Sequence, residues 1–438
     1  MKRALLILIS FTLALTALTS YASVTLDYCI KKAEENYPAI KQYSLIDLTE
    51  KYTLNALATQ WAPQLNFSAQ ATWQTDVASF PDELKNILKA LGRDMDGMRK
   101  DQYRLQLELY QNIWDGGGYS ANKKIEKSKS TQSRYKTDVE MYQVEERVIN
   151  VYFATLLFDK QIQQMNSTIE LLESNLNTMR SMVSRGVALQ SDADAIEAQM
   201  LTTTQRRDQL TSGLKSQKTI MSLFIGADVT SEDFDTPEDI ETPLTDEPER
   251  PELYLLDASA ALIDAQRKSV NSMATPRIGA FAQGWYGYPG LNMFENMMNA
   301  NWSLNAIVGV KLQWNISAFY SHRSRLKNLD VSKSQIEVQK ETFKFNNKMQ
   351  TSGQREEIER LTTAVEYDSR ITELRKSIRT TAESKLKNGT INTLELLQYI
   401  TDENMSLSAK SLHETELLKA KYQIYHTLGL TYKEYSEK

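Results

Sequence analysis

Four stretches of the chain alternate between apolar and polar residues, and two much longer ones follow a helical period instead. Leu65, Phe67, Ala69, Ala71 and Trp73 fall on one side of a period-2 run, with Asn66, Ser68, Gln70, Thr72 and Gln74 on the other. Tyr103, Leu105, Leu107 and Leu109 oppose Arg104, Gln106, Glu108 and Tyr110 in the same way. Further on, Ala306, Val308, Val310, Leu312 and Trp314 oppose Asn305, Gly309, Lys311 and Gln313. Alternation of this kind predicts strands with one apolar and one polar face. The run from Arg277 to Tyr288 is less clean, because Phe281 and Trp285 fall on its polar side. The segments 119–185 and 321–387 contain no proline. In the first, Ile162, Met165, Ile169, Leu172, Leu176, Met179 and Val183 step by threes and fours, the spacing of a coiled-coil seam; Ile371, Leu374 and Ile378 keep that step in the second. At 1.5 Å per residue each segment makes a helix about 100 Å long. Three shorter helical stretches, 26–60, 192–224 and 394–428, reach roughly half that length, so that two laid end to end match one long helix in an antiparallel bundle.

These elements come in two copies. Ala62-Pro63-Gln64-Leu65 pairs with Thr275-Pro276-Arg277-Ile278, and Trp114-Asp115-Gly116 with Trp314-Asn315-Ile316. Arg185-Gly186 matches Asn388-Gly389, and Leu223-Phe224-Ile225-Gly226 matches Thr427-Leu428-Gly429. A near-constant offset is the mark of tandem duplication. The expected division is a first strand-and-helix repeat over 23–229, an acidic, proline-containing and solvated linker over 230–252, and a second repeat over 253–438. Ahead of them, Lys2 and Arg3 precede an apolar run from Ala4 to Leu18 that ends in Ser20-Tyr21-Ala22. A basic start, a short apolar core and small residues at the end predict a secretory signal over 1–22. Cys29 has no small-residue lipidation box before it and is expected to pack inside the first helix.

Composition removes most chemistry. The chain holds 51 basic and 56 acidic residues for a net charge of −5, which argues against nucleic-acid binding. One cysteine and the scattered His322, His413 and His426 supply neither a metal cage nor a disulfide framework. Asp115-Gly116-Gly117-Gly118 lacks the Lys-Ser/Thr of a phosphate loop and reads as a strand-to-helix turn. No nucleophile elbow or dinucleotide fingerprint appears, so neither an enzyme nor a cofactor or metal is expected. Gly186 and Gly389 read as residues that end helices, and Ser191 with Asp194 as a capping box that starts the next one.

Strands with an apolar face, and with Trp73, Tyr103 and Trp314 near their ends, suit an outer-membrane barrel. Hydrocarbon tolerates no unpaired sheet edge, and four strands are about half the smallest known barrel, so several chains must each donate four. With the amphipathic helices continuing below, the expected fold is mainly α with membrane β.

The sequence now resembles the TolC-type outer-membrane efflux protein family over nearly its whole mature length. The carriers are Thr25 to Pro38, the Trp114-Asp115-Gly116-Gly117 turn, the two glycine tips ahead of Asp192 and Glu395, and the Leu428-Gly429 ending. The resemblance implies a homotrimer whose twelve-stranded barrel continues as a helical tunnel across the periplasm. It implies work with a periplasmic adaptor and, indirectly, an inner-membrane transporter in efflux or type I secretion. It places Arg185, Gly186, Asn388 and Gly389 at tips that contact the adaptor, and Asp192, Glu395 and Gln398 around a periplasmic aperture. Family members carry a second acidic residue where this chain has Gln398, so a gate of stacked acidic rings is weaker or placed elsewhere. A periplasmic adaptor-like or structural envelope protein is the alternative; an adaptor normally has one helical hairpin flanked by β-rich domains, whereas two hairpins and four strands are present here.

Overall fold

The computed structural model describes residues 24–93 and 97–431, so the expected secretory signal lies outside the described residues. In chain order the elements are α1 (Leu26–Asn36), α2 (Lys41–Ala58), β1 (Gln64–Trp73), α3 (Asp82–Ala90), β2 (Asp101–Trp114), α4 (Gly118–Ser184) and α5 (Gln190–Ile225). Then follow α6 (Pro251–Met273), β3 (Arg277–Tyr288), α7 (Met293–Met298), β4 (Ser303–Gln313), α8 (Ala318–Lys387) and α9 (Thr393–Leu428). The long helices hold 67 and 70 residues. The expected helix over 26–60 is broken at Pro38, which cannot donate a backbone hydrogen bond; Tyr37 before it is extended and a 3₁₀ turn, Pro38–Ile40, leads into α2. Helix α6 was not among the expected helices. Its first residue, Pro251, resembles a linker signal but is also well suited to the first helical position, where its missing N–H costs nothing.

The chain divides into two compact units. One comprises Ser44–Arg134 and Leu256–Val338. It contains a four-stranded antiparallel sheet in the order β1-β2-β3-β4. Leu65, Leu109, Ala282 and Val308 lie in one cross-strand row, and Asn66, Glu108, Gln283 and Ile307 in the next. The alternating apolar residues of the strands therefore share one face and most polar residues the other, with Phe281, Trp285 and Ile307 standing among the polar positions. Polar contacts tie the unit's helices together: Arg134 to Asp47, Gln132 to Ser259, Arg267 to Asp330 and Lys333 to Asp264. The Asp115 carboxylate accepts from the backbone N–H of Gly117 and of Tyr119, capping α4 as a strand-to-helix turn should.

The other unit comprises the chain up to Tyr43, Tyr135–Leu255 and the chain from Gln339. Its main core joins Leu26, Cys29 and Ala33 of α1, Val144, Val148, Tyr152 and Phe153 of α4, Met221 and Ile225 of α5, and Tyr422 of α9. Cys29 is fully buried, as expected. Asn36 donates its side-chain amide to the carbonyls of Leu223 and Phe224, satisfying the end of α5. The segment between α5 and α6 is irregular and mostly exposed or half-buried, and contacts hold it at several points. Lys218 donates to the Glu232 carbonyl, Lys421 pairs with Asp239, Arg355 pairs with Asp246, and the Glu249 N–H donates to the Leu428 carbonyl.

Candidate functional site

Two surfaces carry the expected activity: the faces of the sheet, and the tips of the helical hairpins. In a water-soluble sheet the apolar residues of an alternating strand are the covered ones. Here the order is inverted. Tyr103, Leu105, Leu107 and Leu109 are exposed, whereas Arg104, Gln106, Glu108 and Tyr110 between them are half-buried. On the outer strands Phe67 is 71% and Val308 79% exposed. Aromatic residues gather at both ends of the apolar face. Trp302 stacks on Tyr103 and packs at a tilt against Tyr286 at one end, with centroids 5.8 and 5.4 Å away, and Trp114 and Trp314 lie at the other. From Tyr103 to Trp114 the strand runs about 36 Å, which at a tilt of ~45° matches the ~25 Å apolar band of an outer-membrane barrel.

The two irregular residues of β3 now have a physical account. A Cβ at Gly279 would lie 2.3 Å from the Tyr110 hydroxyl, and one at Gly309 2.9 Å from the Phe281 ring. Each aromatic covers a glycine on the neighbouring strand, filling space that a side chain would otherwise occupy. Trp285 is buried beneath the guanidinium of Arg104, 4.1 Å from its ring centroid.

Among the described residues the outer edges of β1 and β4 have no strand partner. No described helix is long and apolar enough to cross a membrane, and no described group of His, Cys, Asp and Glu residues could hold a metal ion.

The hairpin tips lie in the other unit. At the end of α4 the Gly186 N–H donates to Val183 and the Val187 N–H to Met182; at the end of α8 Gly389 and Thr390 repeat this with Leu386 and Lys385. Both glycines are left-handed, at φ 72° and 68°, so each tip closes with a Schellman motif. Arg185 donates its Nε to the Ser181 carbonyl, and Asn388 its amide to that of Ser384. The next helix does not start at Ser191 as expected. Leu189 is the cap residue of α5, and Asp192 at the third position accepts its backbone N–H at 3.1 Å. In α9 the cap is Asn392, whose Oδ1 accepts the Glu395 N–H while its amide donates to the Glu395 carboxylate, both at 2.9 Å. Asp192 and Glu395 thus occupy equivalent positions in the two copies, where the helix N-terminus favours negative charge. Gln398 donates to Asp402, which also pairs with Arg375 at 2.7 Å.

One core joins the two hairpins just behind their tips: Leu172, Leu176 and Met179 with Ala193 and Ile196, and Ala382 with Leu396 and Ile400. Beside it, Arg379 is bound by Glu403 and Glu383, and its hydrogen bond to Glu403 raises the pKa of the guanidinium further. In front of this core Val187, Leu189 and Leu394 are exposed. Of the histidines, His413 contacts Asp368 and His322 Asn271, while His426 is buried against Tyr142, where desolvation lowers its pKa.

No protein-family model matches the sequence, and no match is found among curated proteins. Solved structures do match. The outer-membrane protein VceC from Vibrio cholerae superposes with a TM-score of 0.67 at 11% identity, over 93% of this chain and 96% of its own. CusC, whose structures concern transmembrane channel formation, gives 0.68 at 12% identity, over 93% and 92%. The outer-membrane channel CmeC of Campylobacter jejuni gives 0.63 at 11% identity, over 96% and 90%. The chain has this TolC-type fold.

Proposed function

We propose that this chain is one subunit of an outer-membrane channel-tunnel, a homotrimer that carries substrates from a periplasmic adaptor and inner-membrane pump to the exterior in efflux or type I secretion. The observation that carries the proposal is a sheet whose apolar face is exposed and whose two edges find no strand partner among the described residues. Water penalises the first and lipid the second, and only closure with further copies inside a membrane satisfies both. Three copies give twelve strands, the number the family resemblance implies. The polar face then lines a lumen. Outward, the exposed Val187, Leu189 and Leu394 make the tips an apolar surface for an adaptor, framed by Arg185, Gly186, Asn388 and Gly389. Asp192, Glu395 and Gln398, at or just beyond those caps, line the periplasmic aperture in this reading. The description of CmeC as an outer-membrane channel, and of CusC as forming a transmembrane channel, supports the same role.

Native mass spectrometry of detergent-extracted protein tests this: a trimer that conducts ions in a planar bilayer is expected. A stable water-soluble monomer would overturn it.

A further inference from the structure

The polar face of the sheet is not electrically neutral. The register puts every charged side chain of that face in one of four places: Arg104 and Glu108 on β2, Arg277 on β3 and Lys311 on β4. Three cations stand against one carboxylate. Among the described residues none of the four forms an ion pair, and the Glu108 carboxylate accepts a hydrogen bond from the neutral Gln106 amide alone. Arg104 is stacked on Trp285, and its buried Nε has no hydrogen-bond partner. An aromatic face holds a guanidinium in place without cancelling its charge. At the helix-proximal end of β3 and β4, Arg277 and Arg325 line a cleft of about 410 Å³ with polar neighbours and no carboxylate. The apolar face carries only Asp101, at its end and paired with Arg99.

We infer that the barrel lumen is a cationic lining that selects anionic solutes over cationic ones. This rests on the channel reading above, which makes the polar face a lumen. Repetition around a closed barrel multiplies the excess, and low-dielectric walls focus the resulting field on the permeating ion.

Reversal potentials of the intact channel in a planar bilayer, under a potassium chloride gradient kept at or below about 0.1 M, test the inference. Chloride is expected to permeate about threefold better than potassium. The double variant Arg277→Gln/Lys311→Gln should assemble normally and bring that ratio close to one, while Glu108→Gln should raise it. A potassium-selective channel, or a ratio that the double variant leaves unmoved, would overturn the cationic lining and leave the channel reading intact. Assembled protein with no conductance, in both wild type and Glu395→Gln, would overturn the channel reading itself.

Discussion

At Gly186 and Gly389 two demands meet on one atom. A Cβ added at either glycine meets nothing within 4 Å, so alanine there is opposed only by the left-handed backbone, at about 1 kcal/mol. The shared core behind the tips stays intact, and each alanine variant should form the trimer in normal yield. If the tips dock an adaptor through close backbone approach, the added methyl group stands in the interface, and cross-linking to the adaptor should fall several-fold. Normal cross-linking in both variants would reduce these glycines to helix caps. Glu145 makes a different prediction. Burial on α4, with Glu34 adding repulsion, pushes its carboxyl up to about 7, above the ordinary glutamate value near ~4.3. Between those values the folded state keeps a proton that the unfolded chain releases, so this residue's contribution is complete at about pH 4 and is lost as pH rises through about 7. Glu145→Gln should therefore melt higher than wild type at about pH 8, with the two curves converging as pH falls to about 4. A constant difference across that range would place Glu145 in water.

The strands are the elements for which facing matters most. Leu107 sits mid-strand on the apolar face, beside Phe67 on β1 and Gly284 on β3, while Glu108 is its neighbour on the polar face. A charge at Leu107 in lipid costs about 2–4 kcal/mol in the worst case, and somewhat less for a carboxylate. Leu107→Asp should deplete assembled barrel from the outer membrane, whereas Glu108→Gln should assemble like wild type; equal yields would invert the facing. The same strands show what could be read in the sequence. Their positions and the division into two faces were legible because a sheet with one apolar and one polar face leaves a period-2 pattern whichever solvent each face meets. Phe281 and Trp285 looked like flaws in that pattern because their partners, Gly309 and Arg104, are distant in sequence. The tips were legible as glycine turns, but the cap at Leu189 was not, since its backbone N–H, not its side chain, meets Asp192. Helix α6 was hidden because a proline that opens a helix looks locally like one that ends a linker.

For the whole molecule, what one chain leaves exposed indicates how many chains are needed. The coiled-coil pattern of α4 is satisfied within the chain: Leu172, Leu176 and Met179 are buried. The matching pattern in α8 is not. Ile371, Leu374 and Ile378 are exposed, as are Val331, Val338 and Phe345, which recur at heptad spacing earlier in the same helix. A helix buries such a stripe against a partner helix or leaves it in water at a cost, and the open edges of the sheet call for a second copy of this same chain. Phe345, 64% exposed, separates the two states. Phe345→Glu removes little buried area from a single chain, so far-UV circular dichroism should show unchanged helix content. Between chains it places a charge in an apolar seam in every copy and costs a few kcal/mol each time, since a buried charge without a partner is poorly tolerated. The variant should therefore yield folded monomer at protein concentrations where wild type is trimeric by native mass spectrometry. A Phe345→Glu protein that remains fully trimeric would turn this stripe toward the tunnel water and leave the closed barrel as the main bond between chains.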